Sequence, residues 1–386
     1  MTLRDSVVFL EAKIAYIALM PLSREGRSVA ATLLKWWDRN RRDLPWRAGA
    51  EEKPDPYAVW LSEVMLQQTS TSAIKSYYAA FLMRWPNVCD LAQAPLEDVM
   101  KAWAGLGYYS RARNLHACAR IVARREGARF PDTEDELRSL PGVGAYTAAA
   151  IAAIAFDRRA IVVDGNVERV ASRLFAIEAR PPALKRLVRE AVDELTPKRR
   201  SGDFAQAMMD IGATICTPRN PACASCPISA MCRARAQGLP ESFPLKAHRR
   251  GKPLRHGAVF YLRRDDGRVL VRTRPPTGLL GAMTEFPGSE WTEAAPKSLA
   301  AAPMEADWRL LRGRVRHVFT HFALDLSIYR ARAAIGVSAP PGCRWTPEET
   351  LAHEALPTLM RKVAEQAQNG LLQSSSEDSA TAPRPS

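Results

Sequence analysis

Four cysteines in "CTPRNPACASCPISAMC", Cys216, Cys223, Cys226 and Cys232, stand at the spacing C-x6-C-x2-C-x5-C. Zinc, disulfides and a [4Fe-4S] cluster all use such residues. A cytoplasmic chain disfavours disulfides. Structural zinc usually pairs two short knuckles across a gap, whereas one compact loop with unequal gaps suits wrapping a cubane. Two carboxylates also invite a chemical reading. Glu63 in "WLSEVMLQQT" shares a helix face with Val59, Trp60, Leu66 and Gln67. Burial on such a stripe would raise its pKa and let it act as an acid near neutral pH. A rim glutamate paired with an arginine would explain it as well. Asp164 in "VVDGNVERVASRL" opens a helix, where an aspartate serves as an N-cap or as a fixed negative charge. In "LPGVGAYTAAAI" Gly142 and Gly144 precede an alanine-rich helix. Lacking Cβ atoms at a helix N-terminus, they would let a phosphate reach the backbone, although an ordinary helix connection also uses such glycines.

The elements that must position these groups follow from periodicity and composition. From Ala30 to about Gly238 apolar residues recur at three and four, as in "LKRLVREAVDELT", and predict an all-α domain of short helices. "GLPESFPLKAHRRGKPLRHG" reads as a linker. Beyond it, two apolar runs around Asp266-Gly267 predict a hairpin, "FALDLSIY" alternates with period two, and "PTLMRKVAEQA" closes with a helix, so the second domain is α+β. The predicted boundaries are an N-terminal extension at 1–28, an all-α domain at 29–238 with a helical hairpin near 137–154, a linker at 239–252, an α+β domain at 253–368 and a disordered tail at 369–386.

The 386 residues carry a formal charge of +14, much of it in arginine doublets such as Arg41-Arg42 and Arg199-Arg200, and a polyanion is the natural partner. No apolar run is long enough to span a bilayer, and "VVFLEAKIAYIALM" is broken by Glu11 and Lys13, so a soluble, cytoplasmic and nucleoid-associated protein is expected.

The cysteine spacing after an all-α region holding "LPGVGAYTAAAI" resembles the helix-hairpin-helix DNA glycosylases of the endonuclease III and MutY type, and the likeness spans roughly residues 30–366. The resemblance implies one [4Fe-4S] cluster on the four cysteines and a shared catalytic carboxylate at Asp164, with Asn166 beside it. It also implies, through "SEVMLQQT", a MutY-type Glu63 that protonates adenine and then handles the attacking water. It implies further that Gln68 and Tyr108 intercalate, that Trp46, Arg47 and Gln206 line an adenine pocket, and that residues 253–366 form a MutT-like, or Nudix-like, domain. There Phe319, Thr320 and His321 would read an oxidised guanine, with Thr320 where the family has serine. The stretch after Gly288 lacks the R-E-x-x-E-E pattern of a magnesium-dependent pyrophosphatase, so binding without hydrolysis is expected. Tyr146 stands where strand-cleaving relatives carry a lysine, and its phenol is expected to donate close to Asp164. The implied activity is removal of adenine opposite 8-oxoguanine or guanine in double-stranded DNA, by a monomer without strong lyase activity. Rival readings are a pyrimidine glycosylase of the endonuclease III kind and a non-catalytic iron-sulfur DNA-binding or redox protein.

Overall fold

The computed structural model describes residues 25–49, 52–246, 251–296 and 299–377. The expected extension lies almost wholly outside the described residues; its end, from Glu25, already belongs to the first helix. In chain order the helices are α1 (Glu25–Asn40), α2 (Pro56–Leu66), α3 (Thr71–Arg84), α4 (Val88–Gln93), α5 (Leu96–Ala102), α6 (Ser110–Val122), α7 (Glu134–Arg138), α8 (Ala145–Phe156), α9 (Gly165–Phe175), α10 (Ala183–Leu195), α11 (Ser201–Thr214), α12 (Arg233–Ala236) and α13 (Thr358–Glu377). The chain divides into two compact units, residues 1–67 with 124–248 and residues 68–123 with 249–386.

The first unit is all helical. Asp55 caps α2 by accepting from the Tyr57 amide, with Pro56 pre-set at the first helical position. In α10 Leu184, Leu187, Val188, Ala191, Val192 and Leu195 recur at three and four and face a core with Leu33, Trp37, Val170, Phe204 and Met208. Helix α8 is apolar on nearly every side and is buried accordingly. It packs against α2, α7 and α11. Gly202 meets the Ala153 carbonyl so closely that no Cβ fits there, which sets how near α11 approaches α8.

The second unit combines helices α3–α6 with a mixed sheet. Its strands are β1 (Leu254–Arg264), β2 (Arg268–Thr273), β3 (Thr284–Glu285), β4 (Arg309–Val318), β5 (Ala323–Ala333) and β6 (Cys343–Pro347), in the order β3-β2-β1-β5-β4 with β6 pairing β2. The predicted hairpin is present, with Arg263 opposite Val269 and Gly267 at φ 82°. Strand β1 runs parallel to β5 from Leu254↔Ala323 to Arg264↔Ala333. Leu359, Met360, Val363 and Ala367 of α13 join the core over this sheet. The reading of 369–386 as a disordered tail is corrected in part, because α13 continues to Glu377. A Cβ on Gly370 would press on Leu311 of β4, so glycine there lets the helix lie close to the strand. Residues 378–386 lie outside the described residues. Among the described residues between Phe286 and Trp308 no helix forms.

Candidate active site

Glu63 lies on α2 with only 5% of its surface exposed. The Tyr146 hydroxyl, one residue into α8, donates to Glu63 Oε2 at 2.7 Å. The packing of α2 on α8 therefore makes this pair. Burial pushes the Glu63 pKa up from 4.5 to about 7; the Tyr146 hydrogen bond and the positive charge of Arg47 oppose the rise, and the negative charge of Asp164 adds to it. Burial, with the charges of Glu63 and Asp164, holds the Tyr146 phenol well above 10, so it stays a neutral donor. The acceptor of that phenol is Glu63, with Asp164 near enough to act on both groups.

Asp164 is the N-cap of α9. Its Oδ1 accepts from the Val167 amide at 2.7 Å and its Oδ2 from Asn166 Nδ2 at 2.9 Å. The N-cap and fixed-charge readings of Asp164 are compatible, because capping bonds hold the carboxylate in one orientation. Asn166 is itself held, its Oδ1 accepting from Arg169 Nη2 at 2.9 Å. Arg169 also donates to the carbonyls of Gly212 and Cys216.

Trp46, Arg47 and Gln206 share a cavity of about 420 Å³ with Trp37, Asp157 and Arg200. Glu63, Tyr146 and Asp164 do not line it, but Arg47, which does, acts on Glu63 as well. The Arg47 guanidinium is a fork on Asp210, at 2.6 and 2.8 Å, and Arg42 binds the same carboxylate. Asp210 is fully buried; burial works against its charge, but Arg47 and Arg42 outweigh that and hold its pKa below the usual range. Sequence reading missed Asp210, although an acid among the apolar residues of "FAQAMMDIGA" was a signal. Gln206 Nε2 donates to the Gly202 carbonyl.

At the hairpin, Gly142 has φ 76° and Gly144 is the N-cap of α8 with no side-chain capping bond. A Cβ on Gly144 would meet nothing within 4 Å, so open space lies beside the start of α8.

In the second unit Gln68 and Tyr108 both have left-handed backbones, at φ 60° and 47°. Such conformations cost non-glycine residues ~1–3 kcal/mol and gather at functional sites. The Tyr108 hydroxyl donates to Gln68 Oε1 at 3.0 Å. Arg111, buried, stacks on the Tyr108 and Trp103 rings and donates to the Leu106 and Gly107 carbonyls. Tyr108 also lines a cavity of about 610 Å³ with Phe319, Thr320 and His321. Phe319 stacks on Trp291 and packs on Phe322, while Thr320 and His321 are exposed in the β4–β5 turn.

Cys216, Cys223, Cys226 and Cys232 wall one cavity with Arg173, and none is in a disulfide. Among the described residues no three His, Cys, Asp or Glu side chains converge as the donors of a single metal ion would. Four thiols around one space, with a buried guanidinium against Cys216 Sγ, fit an anionic iron-sulfur cluster. The thiolates would hold its irons.

Residues 61–198 match the HhH-GPD superfamily of base excision DNA repair proteins. Residues 216–232 match the iron-sulfur binding domain of endonuclease III, and residues 258–366 the NUDIX domain. The chain is 36% identical to the adenine DNA glycosylase of Homo sapiens, over 92% of this chain and 77% of that protein. It is likewise 36% identical to that of Mus musculus, over 92% of this chain and 80% of that one. A solved thermostable thymine-DNA glycosylase is 31% identical with a TM-score of 0.49, covering 56% of this chain and 99% of that one.

Proposed function

Because the chain belongs to the adenine DNA glycosylases, carrying their glycosylase, iron-sulfur and Nudix-like parts in one polypeptide, we propose that it acts on adenine mispaired with 8-oxoguanine or guanine, with Glu63 and Asp164 in opposed roles. Adenine excision in base excision repair, by hydrolysis of the N-glycosidic bond, is the activity of the family. The observation that carries the assignment is the buried Tyr146–Glu63 pair, whose carboxyl has a pKa of about 7. An acid so poised is protonated in a useful fraction at neutral pH and is still a competent donor.

The steps follow from that poise. Glu63 gives its proton to N7 of a flipped adenine, the C1′–N9 bond breaks, and its electrons leave with the base. Asp164, held by Val167 and Asn166, presents its carboxylate to the positive charge left on the sugar and stabilises it. Glu63, now a carboxylate, takes a proton from the water that attacks C1′. Tyr146 has no amine to form a Schiff base, so the product is an intact abasic strand. Gly142 and Gly144 hold a phosphate, Gln68 and Tyr108 fill the gap left by the base, and Trp46 and Gln206 line the space for it. Residues 29–238 are the catalytic part, and residues 253–368 read the opposite base through Phe319, Thr320 and His321. The exposure of Thr320 and His321 supports that role. The protein works as a monomer on chromosomal DNA in the cytoplasm; among the described residues no helix is long and apolar enough to cross a membrane.

The test is a duplex holding adenine opposite 8-oxoguanine, with A·C and A·T controls. Strand scission should appear only after heating in alkali, and at the adenine opposite the lesion. Scission without alkali, or equal cutting of the A·T control, would overturn the assignment.

A further inference from the structure

Arg173 is among the most completely buried side chains of the protein, at 2% exposure on α9. Its Nη1 donates to Cys216 Sγ at 3.3 Å and to the Thr217 carbonyl at 2.7 Å; Nη2 donates to the Pro218 carbonyl and Nε to the Phe243 carbonyl, each at 3.1 Å. These are all neutral acceptors or a thiol. Among the described residues no carboxylate pairs with it, whereas Arg42 and Arg47 of the same unit both meet Asp210. A guanidinium stays charged at any ordinary pH, and carbonyl dipoles alone do not repay the loss of its water. A buried cation with no carboxylate needs an anion elsewhere, and Arg173 lines the cavity walled by the four cysteines. Four thiolates around an iron-sulfur core carry a net charge of about −2.

We infer that Arg173 is the buried counter-ion of the cluster, its charge offsetting the thiolates and its Nη1–H···S hydrogen bond drawing electron density from the Cys216 sulfur. Both effects favour the more reduced state of the cluster and raise its potential. Arg235, exposed on the same cavity, is screened by water and contributes less.

The experiment compares full-length holoprotein of the wild type with Arg173→Gln, Arg173→Lys and Arg235→Gln, reading iron per chain and the cluster midpoint potential by protein-film voltammetry. Arg173→Gln keeps a donor and loses the charge, so its potential should fall below the wild type's by more than that of Arg235→Gln. Arg173→Lys keeps the charge and should stay closer to the wild type than Arg173→Gln does. An Arg173→Gln protein with wild-type potential at wild-type iron content would overturn the inference. If Arg173→Gln does not fold, Arg173→Lys decides. Wild-type iron with a potential no lower than that of Arg235→Gln supports the counter-ion role, and a fall beyond that of Arg235→Gln with the charge retained refutes it.

Discussion

Replacing Tyr146 with phenylalanine should move the alkaline limb of adenine excision to higher pH. The wild-type Glu63 pKa of about 7 is a balance in which burial raises it from 4.5 and the Tyr146 hydrogen bond pulls it back. That bond favours the ionised carboxylate, so its loss raises the pKa further. A hydrogen bond to a charged group contributes ~1.5–3 kcal/mol. At ~1.4 kcal/mol per pH unit, the limb should shift upward by ~1–2 units. The rate requires protonated Glu63, so it is level below that pKa and falls about tenfold per unit above it. The assay is single-turnover base release from the A·8-oxoguanine duplex at saturating enzyme, across the neutral to alkaline range. The absolute rate can drop in the variant without affecting the position of the limb. A limb that stays in place or moves to lower pH would refute the coupling of Tyr146 to Glu63, and with it the reading of Glu63 as the acid.

Glu63→Gln should slow excision at least ~10²-fold with little change in DNA affinity, and near-normal single-turnover rates would sink the acid role. The same variant should be the more stable protein at alkaline pH. The folded pKa of Glu63 lies above its unfolded value, so the stability tied to its proton is full below 4.5 and lost as pH rises through about 7; by linkage the gain at pH ~8 is at most about 3 kcal/mol, read as a raised melting temperature. Gly142→Ala forces alanine into the left-handed conformation now at φ 76°. It should cost ~1–2 kcal/mol in thermal unfolding and weaken binding to undamaged duplex; unchanged affinity would separate the hairpin from phosphate binding. His321→Ala should reduce the preference for 8-oxoguanine over guanine by about tenfold, the value of one hydrogen bond, while leaving A·G excision largely intact. An unchanged preference in competition between the two duplexes would remove His321 from lesion reading.

The sequence by itself determined the features whose physics is local. Four cysteines within one loop, glycines ahead of an alanine-rich helix, an acid on an apolar helical stripe and an N-cap aspartate each depend on neighbours a few residues away, and all were readable before any fold was known. The same holds for the hairpin at Asp266-Gly267 and the alternation of β5. Strand β4 escaped notice because it is an Arg-rich sheet edge exposed at most positions, which leaves no period-two pattern to find. Only the tertiary structure decided which groups pair across long stretches of chain. It directed the Tyr146 phenol to Glu63, set Arg47 and Arg42 on the buried Asp210, and brought Arg173 against Cys216. It also grouped residues 68–123 with the C-terminal part rather than with the rest of the helical region. The pKa of about 7 at Glu63 belongs to the same class. Burial depends on every element packed around a carboxyl, and Coulomb energies on charges the chain returns to one place, so neither quantity is carried by a local stretch of sequence.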